Sequence, residues 1–439
     1  MKATVIAAEL RAALHELEIK ARKLSTLNVL SNVSLVVEDA RLKLYWTDYD
    51  LSIHTYVDLV LGDRADGEAL TNAKKLRKTL DAFDGEDFIL VHGFTEEVPI
   101  NPGSKAAEKT GKKKSRVDVK HVVEVSRGSF KARLPSEEPT MAPTVCRDDI
   151  RKFFANKAWH VSAKTLYEVL WRSTYCMSQD ESRMNLCGAF VELRREGDDH
   201  GDIVTLRVSS TDGHRGASVK RILGGYGTAK AGGENCGTAD DITSIVIFEG
   251  VELLKKLMKA AAKKDESVRV AQLDGGQRVA FDIGETAIVV RAVQDRFPEM
   301  HKLGMKRRDP AIGVNPQVLS KAVRSMAKVV YDKGSNGAVF FDRDEGQTTV
   351  RAMMKDTEGV VLTKDVSDLL GKLPPAKLAW TFNHVYVLQA IEALDGLYDD
   401  NEILIVSATD EFSPSVWEAR GAGIVDDFHI VMPMRRDKA

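Results

Sequence analysis

Five consecutive residues, Thr211-Asp212-Gly213-His214-Arg215, place a carboxylate, an imidazole and a guanidinium side by side after the alternating stretch Ile203 to Val208. Asp and His at that spacing suit acid–base or hydrolytic chemistry, or two ligands of a metal. A hydrolase using Asp212 and His214 also needs a nucleophile and an orienting group, and a zinc site needs further ligands. Neither set can be assembled, because the ten histidines are scattered and form no H-x-x-x-H pair. A turn whose side chains fix local structure or line a binding groove is the better account. The run Gly224-Gly225-Tyr226-Gly227-Thr228-Ala229-Lys230 suggests a phosphate loop but fails on spacing, since Ala231 and Gly232 follow the lysine where Ser or Thr is required. Cys146, Cys176, Cys187 and Cys236 form no C-x-x-C pair and sit in no cluster with histidines. They read as reduced cytoplasmic thiols, and no metal or cofactor is expected.

The elements that position these residues follow one pattern used six times: a short β-like run, then a helix with apolar residues three and four apart. The helices fall in pairs: Glu9 to Ile19 with Ala73 to Leu80, Ala163 to Leu170 with Val251 to Met258, and Pro316 to Met326 with His384 to Leu394. Alternating β-branched stretches such as Val33 to Val37, Leu42 to Trp46 and Thr348 to Ala352 lie between partners. The expected fold is α+β: three repeated domains, each with two helices on antiparallel sheet. A chain of 439 residues exceeds what one core usually supports, which agrees. With 43% apolar and 29% charged residues and no apolar run near the roughly 18 residues of a membrane span, no membrane association is expected. The N-terminus enters a strand-like alternation directly, so the expected compartment is the cytoplasm.

Lysine or arginine recurs in five of the six helices, including Lys74, Lys75, Arg77 and Lys78, then Lys255, Lys256 and Lys259, then Lys321, Arg324 and Lys328. Any one such face is ordinary solvated surface. Facing a common cavity, they would make an electropositive lining suited to phosphate contacts without base reading, despite a net charge of only -2. Breaker-rich stretches set the expected boundaries: domain one over 1–143 with a basic insertion at 101–116, a linker over 144–157, domain two over 158–308 with a glycine-rich insertion at 223–237, and domain three over 309–439.

Several stretches, in order along the chain, resemble the β subunit of bacterial DNA polymerase III, the sliding-clamp family. Ser25 to Asn32 resembles the family's T-L-P-I-L-x-N, and Thr47-Asp48 to Leu51 its T-D-L. Asp180 to Gly188 resembles D-x-x-R-x-x-L-N-G, and Thr211 to Arg215 its T-D-G-H-R. Arg296-Phe297-Pro298, Phe382 to Tyr386 and the tail Val431-Met432-Pro433-Met434-Arg435 complete the set. The resemblance implies a head-to-tail homodimer closing a six-domain ring around double-stranded DNA, with Phe130, Val329 and Val330 at the subunit interface. It implies no catalysis, but tethering of DNA polymerase, clamp loader and other clamp-binding proteins through short extended peptides.

The implied peptide groove comprises Leu186, Thr211, Gly213, His214, Arg215, Arg269, Val270, Asn383, Tyr386, Val431, Met432, Pro433 and Met434. Methionine and apolar side chains would form an adaptable floor, and Arg215, Asn383 and Tyr386 could hydrogen-bond a peptide. The implied DNA contacts are Arg22, Lys23, Lys74, Lys78, Gln179 and Arg183. Gly216 departs from the family, which usually has an apolar residue there; this predicts a wider pocket with one weakened anchor. The tail also continues past Arg435 through Asp437 and Lys438 to Ala439. These departures motivate an alternative, a clamp-fold regulator that binds polymerase peptides or a partner clamp without encircling DNA.

Overall fold

The structure, a computed structural model, describes residues 1–21, 28–99, 117–143, 150–154, 158–198, 201–225, 239–300, 302, 311–330, 337–344, 347–354, 357–363, 378–395, 404–419 and 427–435. Arg22, Lys23, the 101–116 insertion, most of the glycine-rich insertion, Cys146, Cys236 and the residues after Arg435 lie outside these. Among the described residues there are six α-helices: α1 (Ala7–Ala21), α2 (Ala73–Leu80), α3 (Ala163–Ser173), α4 (Phe248–Ala262), α5 (Pro316–Val330) and α6 (His384–Leu394). Each of the six sequence periodicities falls on one of them, and four helices run several residues longer than the apolar pattern requires. None among the described residues is long and apolar enough to cross a membrane.

Chain contacts define two compact units. The first holds Met1–Ala155, Val268–Val270 and Ala280–Arg291; the second holds Asn156–Ser267, Ala271–Val279 and Ala292–Ala439. In the first unit, antiparallel pairing runs from Lys2–Ile6 through Phe88–Pro99 and Val117–Arg127 to Phe130–Glu137. It continues through Gly67–Asn72, Asn32–Glu38 and Arg41–Thr47 to Leu51–Asp58. Helix α1 turns Leu10, Leu14 and Leu17 inward and α2 turns Leu76 and Leu80, all fully buried. Each such leucine contributes about 1.5–3 kcal/mol by leaving water. Asn72 caps α2 by accepting from the Lys75 amide at 3.0 Å.

In the second unit one antiparallel sheet runs Ile242–Ile247, Gly188–Asp198, Gly201–Thr211, Arg215–Gly225, Phe428–Val431, Ser415–Ala419, Leu404–Ser407 and Ala311–Val314. A second sheet has the order Thr357–Thr363, Gln347–Met354, Ala338–Asp344 and Leu378–Asn383. The decisive junction is Arg215–Gly225 against Phe428–Val431, with Arg215 opposite Val431 and Gly216 opposite Ile430. It joins the strand that follows the Thr211 to Arg215 turn to the strand that leads into the methionine-rich tail.

Candidate peptide-binding groove

The Thr211 to Arg215 turn is built by its own side chains. The Thr211 hydroxyl donates to the Arg215 carbonyl at 2.7 Å and accepts from the Gly213 amide at 3.1 Å. One Asp212 oxygen accepts from the His214 and Arg215 amides at 2.9 and 3.0 Å, and the other accepts from Arg215 Nε at 2.9 Å. Both carboxylate oxygens are therefore committed to the turn. A hydrolytic role for Asp212 would dismantle that structure, so the turn reading is the one that fits. Gly213 sits at φ +89°, where a Cβ is strained and would also approach the Arg183 guanidinium to 2.9 Å.

The tail is stitched to this turn by backbone. The Met432 amide donates to the His214 carbonyl at 2.8 Å, and the Met434 amide donates to the Thr381 carbonyl at 2.8 Å. Ser415 supports the tail strand by donating to the Val431 carbonyl at 2.8 Å, and the Trp417 indole donates to the Ser415 hydroxyl at 2.8 Å. Met432, Pro433 and Met434 remain half-buried, beside an exposed His214. Arg215 lies over the Tyr386 ring at 4.5 Å and over Tyr175 at 5.8 Å, and donates to the Gln389 side-chain carbonyl. Its guanidinium is thus held flat by two aromatics and braced at both ends, a rigid wall with little rotamer freedom left to lose on binding.

Beneath this wall, the Tyr175 hydroxyl and His429 Nδ1 are hydrogen-bonded at 2.8 Å with their rings stacked. His429 is fully buried. Burial, with some repulsion from Arg172, pushes its pKa down to about 3, so the imidazole is neutral at ordinary pH. Burial likewise drives the Cys176 thiol up to about 12, which fits an inert core thiol. A charged clasp ties the surrounding elements: Arg221 reaches Asp427 at 2.7 Å and Glu168 at 2.8 Å, and Arg172 reaches Glu168 at 3.1 Å. Arg172 also donates to the Ala393 and Asp395 carbonyls at 2.6 and 2.8 Å, which satisfies the C-terminal end of α6. Burial raises the Glu168 carboxyl, but the hydrogen bonds and charges of Arg221 and Arg172 outweigh it and hold it below its ordinary value.

The structure brings Leu186, Thr211, Gly213, His214, Arg215, Asn383, Tyr386, Met432, Pro433 and Met434 into the same unit. Several expectations need correction. Arg269 and Val270 belong to the first unit. There Arg269 pairs with Asp282 at 2.9 Å and stacks over Phe154 at 5.3 Å, while Val270 is buried. Val431 is 1% exposed and packs in the core with Trp380, Phe382 and Trp417, so its side chain lines no groove. Strand alternation explains this, since Val431 pairs beside Ile430 and must point to the opposite face. The Asn383 side-chain carbonyl accepts from the Val385 amide at 2.9 Å as the cap of α6. The pocket at Gly216 is not wider: a Cβ there would collide with Met300 Cε, because Met300 already fills that space. Residues that sequence reasoning missed are Tyr175, Met300, Gln389 and Ile430. Only Ile430 carried a signal, the alternation just described.

Among the implied DNA contacts, Lys74, Lys78, Gln179 and Arg183 are exposed, and Arg183 is paired with Asp180 at 3.0 Å. Exposed bases concentrate on α2, α4 and α5; α6 has none, and Arg11 of α1 is spent on the Leu80 and Phe83 carbonyls. Phe130 is 47% exposed and meets Phe83 edge to face, while the Val329 and Val330 side chains lie outside what is described. Among the described residues no group of three or more His, Cys, Asp or Glu could hold a metal.

No family model matches the chain. Two curated relatives do, both called beta sliding clamp and both from Caulobacter vibrioides, strains NA1000 / CB15N and ATCC 19089 / CIP 103742 / CB 15. Each is 22% identical over 356 residues, covering 80% of this chain and 82% of the relative. The solved Caulobacter crescentus beta sliding clamp superposes with a TM-score of 0.74 at 19% identity over 99% of both chains. The DNA polymerase III subunit beta of Pseudomonas aeruginosa gives 0.74 at 20% identity over 99% of this chain and 100% of its own. This chain has the fold of the bacterial β sliding clamps. A third clamp-like structure, from Eubacterium rectale, reaches a TM-score of 0.76 at only 14% identity. At such identities what the comparison shows is the fold.

Proposed function

We propose that the chain is a DNA sliding clamp, a processivity factor without catalytic chemistry of its own, which encircles duplex DNA and tethers a replicative polymerase. The carrying observation is the union of the Thr211 to Arg215 turn with the tail: the Met432 amide bonded to the His214 carbonyl sets an exposed imidazole, a braced guanidinium and two methionines around one surface. That surface suits short extended peptides, with methionine supplying an adaptable apolar floor. Polymerase, clamp loader and other clamp-binding proteins are the partners so recruited.

Three domains, over 1–143, 158–308 and 309–439, would combine head to tail with a second copy into a six-domain ring. The strand Phe130–Glu137 suits that role: among the described residues, Phe130 to Leu134 pairs on one side only, leaving the other edge for a partner's sheet. Phe130, Val329 and Val330 are the proposed contacts. The exposed lysines of α2, α4 and α5 would meet phosphates without reading sequence, which permits sliding. Light scattering at micromolar concentration should give a dimer, and loading onto primed circular DNA should leave the protein retained until the circle is cut. Monomers alone and no retention would sink this reading and favour the regulator that binds peptides without encircling DNA.

A further inference from the structure

Position 216 has no side chain, yet its neighbourhood is filled from another part of the chain. A Cβ built on Gly216 would strike Met300 Cε and lie 3.4 Å from Met300 Sδ. The thioether therefore occupies the volume that a residue at 216 would use. Met300 is 5% exposed and packs with Ile245, Phe297, Val416, Phe428 and Ile430. Gly216 and Ile430 are directly paired across the strand junction, one residue from the Arg215–Val431 pair that bears the turn and the tail. Gly216 and Ile430 face away from Arg215 and Val431, so the methionine methyl fills the other face of the strand pair that carries the turn and the tail.

Two features make this plug movable. Methionine is unbranched, with three rotatable bonds, and changes rotamer at low cost compared with a branched side chain. Met300 also borders a cavity of about 680 Å³ that it shares with Phe190, Ser244, Gln294, Phe297 and Pro298. The side chain has somewhere to go. An apolar residue fixed on the strand at 216 would be a static wall; a glycine there, with a methionine arriving from residue 300, is a wall that yields.

We propose that Met300 is a specificity-determining residue of the groove: its side chain closes the space over Gly216 in the free protein and swings toward the adjoining cavity when the apolar anchor of a bound peptide enters. This rests on the peptide-binding reading above. It implies that anchor size is discriminated by how far Met300 is displaced, so small anchors bind with little displacement and large ones against a penalty.

The test uses the full chain and extended heptapeptides identical except for one apolar anchor, Ala, Leu or Phe, titrated by fluorescence anisotropy. Met300→Ala should tighten the Phe peptide about tenfold relative to the Leu peptide, and Gly216→Leu in the Met300→Ala background should restore the original ranking. Met300→Leu, similar in volume but stiffer, should fold normally and weaken the Phe peptide selectively, which covers the case of a poorly folded alanine variant. With methyl-labelled methionine, the Met300 resonance should shift on saturation with the Phe peptide. Peptides that bind with the same ranking to every variant, and a Met300 methyl that does not move, would overturn the role of Met300 while leaving the groove intact. No binding of any peptide to any variant, all folded, would overturn both.

Discussion

Arg215 and Arg269 have nearly the same surroundings: each pairs through Nε with an aspartate at 2.9 Å and each lies over an aromatic ring. Their roles differ because of where the aspartate stands. Asp212 belongs to a turn only three residues away, and its other oxygen holds the backbone that lends a carbonyl to the tail. Asp282 lies within the strand Arg278–Ile283, 5% exposed, and Arg151 approaches it from a third element at 3.4 Å. The same chemical triad borders the proposed groove in one unit and is an internal brace in the other. Side-chain composition alone does not make a site; what differs is the half-buried methionine tail beside Arg215.

The sharpest way to break this contrast is Arg269→Ala. It should cost about 2 kcal/mol of stability by removing charge-assisted hydrogen bonds from a buried carboxylate that keeps Arg151 as its other partner, with peptide affinity unchanged when measured on the surviving folded protein. Urea unfolding and peptide titration read the two quantities separately. Acid should then distinguish the units. Because the folded pKa of His429 is about 3, below the ordinary 6.5, the unfolded chain binds the extra proton between those values. Stability is therefore complete above pH 6.5 and falls as pH drops, by about 1.4 kcal/mol per unit until the folded pKa is reached. His429→Asn should flatten that slope in urea melts at pH 7, 6 and 5. A slope unchanged by the substitution would remove His429 from the account.

Within the groove, Arg215→Ala, or Met432→Ala together with Met434→Ala, should weaken peptide binding by about 2 kcal/mol, roughly thirtyfold. Calorimetric titration that shows no loss would place the peptide elsewhere. The smallest effect concerns DNA. Lys74→Glu with Lys78→Glu should lower the slope of log affinity against log salt by about 2 and leave peptide binding alone.

Helix positions were legible because each buries an apolar stripe with its own period, and Leu10, Leu14 and Leu17 announce α1 without any neighbour. The turn was legible because Thr, Asp and Gly carry its hydrogen bonds within five residues. The tail's partnership with that turn came from a family pattern, since nothing local in Val431 to Arg435 says which strand it will meet. The surroundings of Arg269 and Val270 are equally illegible, since nothing local in Ser267 to Leu273 says which carboxylate or ring will meet them. Alternation puts Ile430 and Val431 on opposite faces, but it does not say which of them meets the core. Met300 was not legible at all. A filling contact between residues 216 and 300 leaves no periodic trace, and the glycine by itself reads as empty space.

The pairing of Arg215–Gly225 with Phe428–Val431 sets a schedule for synthesis. The ribosome releases the mid-chain strand long before the strand that covers its edge, so that edge stays open through the making of some two hundred further residues. Until residue 434 emerges, the floor of methionines is incomplete. The surface proposed to take peptides is therefore completed only when the second unit closes.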